Sequence, residues 1–167
     1  AYIGAGYRHV IGAAKRYGVK LIDVTPTLEF FREQELVLEG RIIRQSEWPT
    51  HSDNPFPEKD KALMPWNYSR VLIARESPLQ KTKDWLDPNQ AHNDVPLSDW
   101  MKGLGLNDKA IKLGYGMNVS FGDNAQDVSA LLMFFRAAFS LDQRKQAPKG
   151  VVGFTALNGV QRIPEAM

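Results

Sequence analysis

The sequence predicts an α+β chain, mainly helical, on three observations. Apolar residues recur at helical spacing in the second half, most plainly at Val128, Leu131, Leu132, Phe135, Ala138 and Phe139. The β-forming runs Leu36–Leu38 and Ile42–Ile43 flank Glu39-Gly40, a dipeptide suited to a tight turn. Gly18 separates a helical stretch from a short apolar run, a common α-to-β step.

In chain order, Tyr7–Tyr17 reads as a helix with Val10, Ala13, Ala14 and Tyr17 on one side and Gly18 as its stop. Gly12 inside it weakens the helix and marks a candidate close approach. Lys20–Val24 reads as a short strand. Leu28–Arg44 reads as a hairpin, although Glu29, Arg32 and Glu35 also suit a helix ending near Gln34. Gln45–Lys61 is a proline-rich loop that Trp48 and Phe56 would anchor. Short helices follow at Trp66–Arg75, after Pro65, and at Lys81–Leu86, with Asp87–Asn93 again a loop. Pro96–Leu104 and Asp108–Val119 read as helices, the second capped by Asn107. Ala125–Leu141 is the longest predicted helix, apolar enough to be buried on most sides. Val151–Thr155 is extended, Ala156–Gly159 turns, and Gln161–Met167 opens a last helix with Pro164 in its first turn. The apolar start at Ala1 and the short final helix read as cuts through a larger fold.

Composition narrows the function classes. The chain has 167 residues, enough for one core, and at 43% hydrophobic it lies well above the disordered range. A net charge of +2 with scattered basic residues argues against nucleic acid as a partner. The longest apolar run, Ala130–Phe135, falls far short of the roughly 18 residues of a transmembrane helix. With no cysteine there is neither thiol chemistry nor cysteine-ligated metal.

Candidate chemistry is sparse. His9, His51 and His92 are far apart and match no metal-ligand spacing, so the expectation is no metal site. Gly4-Ala5-Gly6 lacks the third glycine of a dinucleotide fingerprint, His9 standing in its place. The carboxylates Asp84, Asp87, Asp94, Asp99 and Asp108 form no enforced pair, and Ser120 and Ser129 have no nucleophile-elbow setting. A hydrolase reading is therefore poor, and no catalytic residue is assigned. Trp48, Trp66, Trp85 and Trp100 suit equally an apolar cavity wall and an ordinary core.

The run Val95-Pro96-Leu97-Ser98-Asp99-Trp100-Met101, the helix Asp108–Val119 and Phe121-Gly122-Asp123-Asn124-Ala125-Gln126-Asp127-Val128-Ser129-Ala130-Leu131 resemble the substrate-domain helices of the flavin monoamine oxidase family. Leu157-Asn158-Gly159-Val160-Gln161-Arg162-Ile163-Pro164-Glu165-Ala166-Met167 resembles that family's glycine-rich entry to a helix near the flavin. Ala1-Tyr2-Ile3-Gly4 resembles the segment just after its acidic, glycine-rich flavin contact, and Tyr7–Asp23 the helix and strand that follow. Thr25–His92 carries the least of the likeness.

The resemblance implies an internal segment of a two-domain FAD enzyme that oxidises an amine or amino acid, with strands at the start and end joining the flavin domain. Residues 1–24 would be a near-flavin segment and 25–93 the hairpin and loop-rich part of the substrate domain. Residues 94–150 would be its helical core and 151–167 the return toward the flavin. It implies FAD contacts by Tyr2, Gly4, Gly6, Gly159, Gln161, Arg162 and Pro164, and a substrate wall from Val128, Leu132, Phe134 and Phe135. The implied partners are the remaining flavin- and substrate-domain segments and a small amine, with homo-oligomerisation open. Two other readings stand beside it: a helical interaction module without the chemistry, and a small Asp/His hydrolase.

Overall fold

Two compact units emerge in the computed structural model, which describes residues 2–117 and 123–167. One comprises Ala1–Arg32 with Ser140–Met167, and the other is Glu33–Phe139. The α+β expectation holds, with helix predominating. Of the residues named above, Ala1, Asn118, Val119, Ser120, Phe121 and Gly122 lie outside the described residues.

The first unit is built on an antiparallel sheet in which β5 (Gly153–Ala156) is central, between β1 (Ile3–Gly4) and β2 (Leu21–Asp23). Ile3 is opposite Phe154 and Ile22 opposite Thr155, so the strands from the two ends of the chain pair with each other. Helix α1 (Arg8–Arg16) lies between β1 and β2 in sequence. It ends as expected at Gly18, whose φ of +70° is left-handed. The Gly18 N–H donates to Lys15 O (3.3 Å) and the Val19 N–H to Ala14 O (2.8 Å), the paired bonds of a Schellman cap. Its inner face differs from expectation. Ala14 is fully buried, whereas Val10 and Tyr17 are exposed and Ile11 takes the partly buried place. Gly12 has open space where a Cβ would stand, so close packing does not explain it. The core of this unit is small: Ile3, Ala14, Ala156 and Ile163 of the last helix, α6 (Arg162–Ala166). Leu28–Phe31, expected to open the hairpin, lies instead in the 3-10 helix Thr25–Phe31, with Pro26 at its start.

The second unit opens with the predicted hairpin, β3 (Glu35–Leu38) and β4 (Arg41–Arg44). Glu39 (φ 49°) and Gly40 (φ 77°) both adopt positive φ between the paired Leu38 and Arg41, as a type I′ turn requires. Period-two alternation buries Leu36 and Ile43 and leaves Val37 and Ile42 outside. The proline-rich loop that follows is pinned by side-chain hydrogen bonds. Trp48 Nε1–H donates to Leu63 O at 2.9 Å. The Asn54 side chain donates to Trp48 O and Lys61 O, both at 2.9 Å, and accepts from the Phe56 N–H at 3.1 Å. Trp48 and Phe56 are buried, as anchors should be.

Helix α2 (Pro65–Glu76) begins at Pro65, where a missing N–H costs nothing, and packs on α4 (Asp108–Gly116). The Tyr68 ring stacks on Phe56 with centroids 3.8 Å apart. A Cβ on Gly114 would lie 2.5 Å from Tyr68 Cδ1 and 3.2 Å from Phe56 Cε1. Asn107 caps α4 as predicted, its side-chain oxygen accepting the Ala110 N–H at 2.9 Å. Pro88–Asn93, expected as loop, is 3-10 helix capped by Asp87, whose carboxylate accepts the Asn89 N–H.

Helix α5 runs Ala130–Gln146, starting later than the expected Ala125. The backbone of Ala125–Ser129 has other partners. Ala125 O and Val128 O accept the N–H groups of Ser98 and Leu97 at the start of α3 (Leu97–Gly103), both at 2.8 Å. Those are among the first-turn donors that a helix cannot satisfy internally. Ser129 then caps α5, accepting the Leu132 N–H while donating to Asp94 at 2.6 Å.

These contacts predict opposite outcomes for two glycines. Gly114→Ala should lower stability by about 1–3 kcal/mol, because Tyr68 is fully buried and cannot withdraw. Gly12→Ala should raise it by about 0.5–1 kcal/mol through helix propensity alone. Urea denaturation of both variants beside the parent checks the pair.

Candidate functional site

The residues that resemble a flavin edge all fall in the first unit. Gly4 pairs with Gly153 at the start of β5, while Asn158-Gly159 turns the chain just beyond its end. Asn158 (φ 65°) and Gly159 (φ 99°) are both left-handed, and the second suits only glycine. Tyr2, Gln161, Arg162 and Pro164 are exposed, and Arg162 pairs with Glu165 one turn on at 2.9 Å. Pro164 stands in the first turn of α6, and Ile163 beside it fixes that helix to the unit's core.

The glycines differ in what they admit. A Cβ on Gly6 would fall 2.0 Å from Gln143 O, so its missing side chain serves contact within the protein. A Cβ on Gly4 would meet the Tyr7 ring at 3.3 Å. A Cβ on Gly159 would have open space around it. The turn from β5 to α6 carries one glycine, not the three of a pyrophosphate-binding fingerprint.

The four apolar wall candidates separate by burial. Phe134 is fully buried, edge-on to Trp100 with centroids 5.0 Å apart, and Val128 is buried with it. Leu132 is 49% exposed. Phe135 is partly buried, 5.0 Å from Trp85 and 6.3 Å from Phe139. Leu132, Phe135 and Phe139 follow one another at i, i+3 and i+7, so they share one side of α5. Trp85, one of the tryptophans suited to either a cavity wall or a core, and Phe139 thus join an accessible aromatic face. The spacing of Phe139 signalled its place, while Trp85 arrives only through tertiary folding.

A separate cleft of about 770 Å³ is bordered by Ser98, Lys102, Ile111, Lys112, Tyr115 and Asp123. It is more polar than most small-molecule pockets, and Lys102 is tied to Asp108 at 3.0 Å. Burial raises the Tyr115 hydroxyl, helped by the charge of Asp123, so it stays protonated at neutral pH. Burial likewise pushes Tyr68 up to about 12.

The histidines remain dispersed. The His51 ring stacks on Trp48, and its Nδ1 accepts the Asp53 N–H at 3.2 Å. Around Asp53, burial favours protonation, but Arg41, Lys109 and His51 outweigh it and the carboxyl stays below its usual range. Among the described residues no three His, Asp or Glu side chains could hold a metal ion, and no helix is long and apolar enough to cross a membrane. The best-formed ion pair is structural: Asp60, 3% exposed, accepts two bonds from Arg75 at 2.7 and 3.0 Å.

Comparison with protein-family models, with curated proteins and with solved structures finds no match to this chain.

Two measurements follow from these placements. Phe134→Ala should cost about 3–5 kcal/mol as a core deletion, and Phe135→Ala about 1–2 kcal/mol because part of its ring already meets water. Melting curves of the two variants give the order. The Arg75 hydrogen bonds hold the Asp60 pKa below its ordinary value despite burial. Its stabilisation is therefore complete above the unfolded carboxylate pKa of about 4 and is lost as pH falls through the lower folded value. Asp60→Asn should remove about 1–2 kcal/mol at neutral pH, a figure reduced for the partial exposure of Arg75, and flatten the acid limb of stability against pH.

Proposed function

We propose that this chain is the substrate-side segment of an FAD-dependent amine or amino-acid oxidase. The reaction is hydride transfer to FAD from the carbon bearing the amine, leaving an imine that water hydrolyses. Oxygen takes up the electrons and gives hydrogen peroxide.

One observation carries the reading beyond the sequence likeness. The two stretches that resemble flavin-edge segments, around Ile3 and around Gly159, lie at opposite ends of the chain yet belong to one unit with a shared core. Glu33–Phe139 forms a second unit with a core of its own. A chain that leaves one unit, builds another and returns is the connectivity that interleaved flavin and substrate domains require.

In this reading Gly159, Gln161 and Arg162 hold the flavin edge, with Tyr2, Gly4 and Pro164 beside them and Gly6 keeping their scaffold closely packed. Leu132 and Phe135 face the substrate. Val128 and Phe134 support that wall from within, because neither presents much surface. The pyrophosphate cradle and the rest of the cavity come from the remaining segments of the enzyme.

A second reading has its own support. The core of Glu33–Phe139 includes the fully buried Trp48, Tyr68, Tyr115 and Phe134, as a module that folds alone would show. Such a module would be a non-catalytic descendant of the same enzymes. A cooperative, monomeric melt of that unit expressed alone, together with failure of the complete protein to take up flavin, would favour it.

The isolated 167-residue chain should show no tight flavin binding when titrated and followed by flavin fluorescence. In the complete protein, Arg162→Ala should weaken flavin retention about tenfold, as expected for one lost charge-assisted hydrogen bond. Global stability should shift by no more than about 0.5 kcal/mol, since the exposed Arg162–Glu165 pair contributes little. Unchanged flavin occupancy with a lower denaturation midpoint would overturn the assignment of Arg162.

A further inference from the structure

We infer that Asn158 is a site of spontaneous deamidation that ages the turn between β5 and α6. In this chemistry the backbone nitrogen of the following residue gives up its proton and attacks the asparagine Cγ. The side-chain nitrogen leaves as ammonia, and a five-membered succinimide closes. Water then opens the ring at one of its two carbonyls, giving aspartate or isoaspartate. The net change is asparagine plus water to acid plus ammonia.

Three conditions favour the reaction, and Asn158 meets all three. The attacking nitrogen should carry little bulk, and Gly159 has no Cβ, with open space around its Cα. The side chain should be free to rotate. Among the described residues Asn158 is exposed, and its amide has no hydrogen-bond partner. The backbone should be able to leave its folded conformation. Here the attack requires the chain to leave the left-handed well at φ 65°, releasing the Gly159 N–H···O=C Ala156 bond of 2.9 Å. A single hydrogen bond of that kind holds opening back by only about fivefold.

The other described asparagines fail at least one condition. Asn54 uses its whole amide in bonds to Trp48, Lys61 and Phe56, and is followed by Pro55, which has no N–H to lose. Asn107 is held as a helix cap. Asn67, Asn93 and Asn124 are bonded to Arg70, Gln90 and Asp127, and none precedes glycine. Asn89 precedes Gln90, whose side chain hinders attack.

The product alters more than charge. An isoaspartate adds a backbone atom to a turn already constrained at two left-handed residues, ahead of Gln161, Arg162 and Ile163. The consequence is a slow covalent change in how α6 follows β5, whether or not this stretch meets a flavin.

The experiment incubates the folded chain in mildly alkaline buffer and maps its peptides by mass spectrometry over time. A parallel sample unfolded in urea reports the rate set by sequence alone. The expected result is amide-to-acid conversion at Asn158 ahead of every other asparagine in the folded chain, within about tenfold of the unfolded rate. Both isoaspartate and aspartate should form, the second identified against an Asn158→Asp variant. Leading conversion at any other asparagine would overturn the proposal. So would an intact Asn158 in the folded chain while the unfolded sample converts, because the turn would then protect it.

Discussion

Tyr68 stacks on Phe56 and the bare backbone of Gly114 meets the edges of both rings, and much of the larger unit follows from that contact. It sets how closely α2 can approach α4, and a side chain at position 114 would forbid that spacing. Phe56 reaches Tyr68 only because the loop carrying it is fixed by Asn54 and by the Trp48 indole. Asp60, at the end of that loop, then clamps Arg75 on α2. A segment without long regular structure is thereby held through satisfied polar groups rather than through a ladder.

The same accounting explains the chain on either side of α3. A helix needs acceptors for its first N–H groups, and α3 finds them on Ala125 and Val128. Those residues give up helical conformation of their own, and α5 begins where Ser129 can cap it. The apolar pattern of Ala125–Ser129 suits either outcome, and the decision rests with unpaired donors elsewhere in the fold.

That contrast defines what could be read from the sequence. Signals that act within a few residues were legible: Gly18 ending α1, Glu39-Gly40 turning the hairpin, Pro65 opening α2 and Asn107 capping α4. Each works through its own φ preference or side-chain oxygen. What depended on distant partners was not. The sequence placed Val10, Ala13, Ala14 and Tyr17 on the inner face of α1; the small core of that unit takes Ala14 and Ala13 but has Ile11 where Val10 and Tyr17 were expected. For the candidate site, the residue choices came from family likeness, and the pattern of α5 fixed only that Phe134 and Phe135 must diverge. Which of them is enclosed was decided by Trp100 and Trp85, both remote in sequence.

The hairpin has a bearing on misassembly. A two-stranded ribbon with an exposed Val37–Ile42 pair offers an apolar template to any passing extended chain. Its composition works against that. Glu35 faces Arg44 at one end of the ladder and Arg41 closes the other, so an incoming strand would have to strip water from charges at both ends. The middle of the ribbon is sticky, but charge makes its boundaries unwelcoming, and this guards the hairpin against colliding chains during synthesis and refolding.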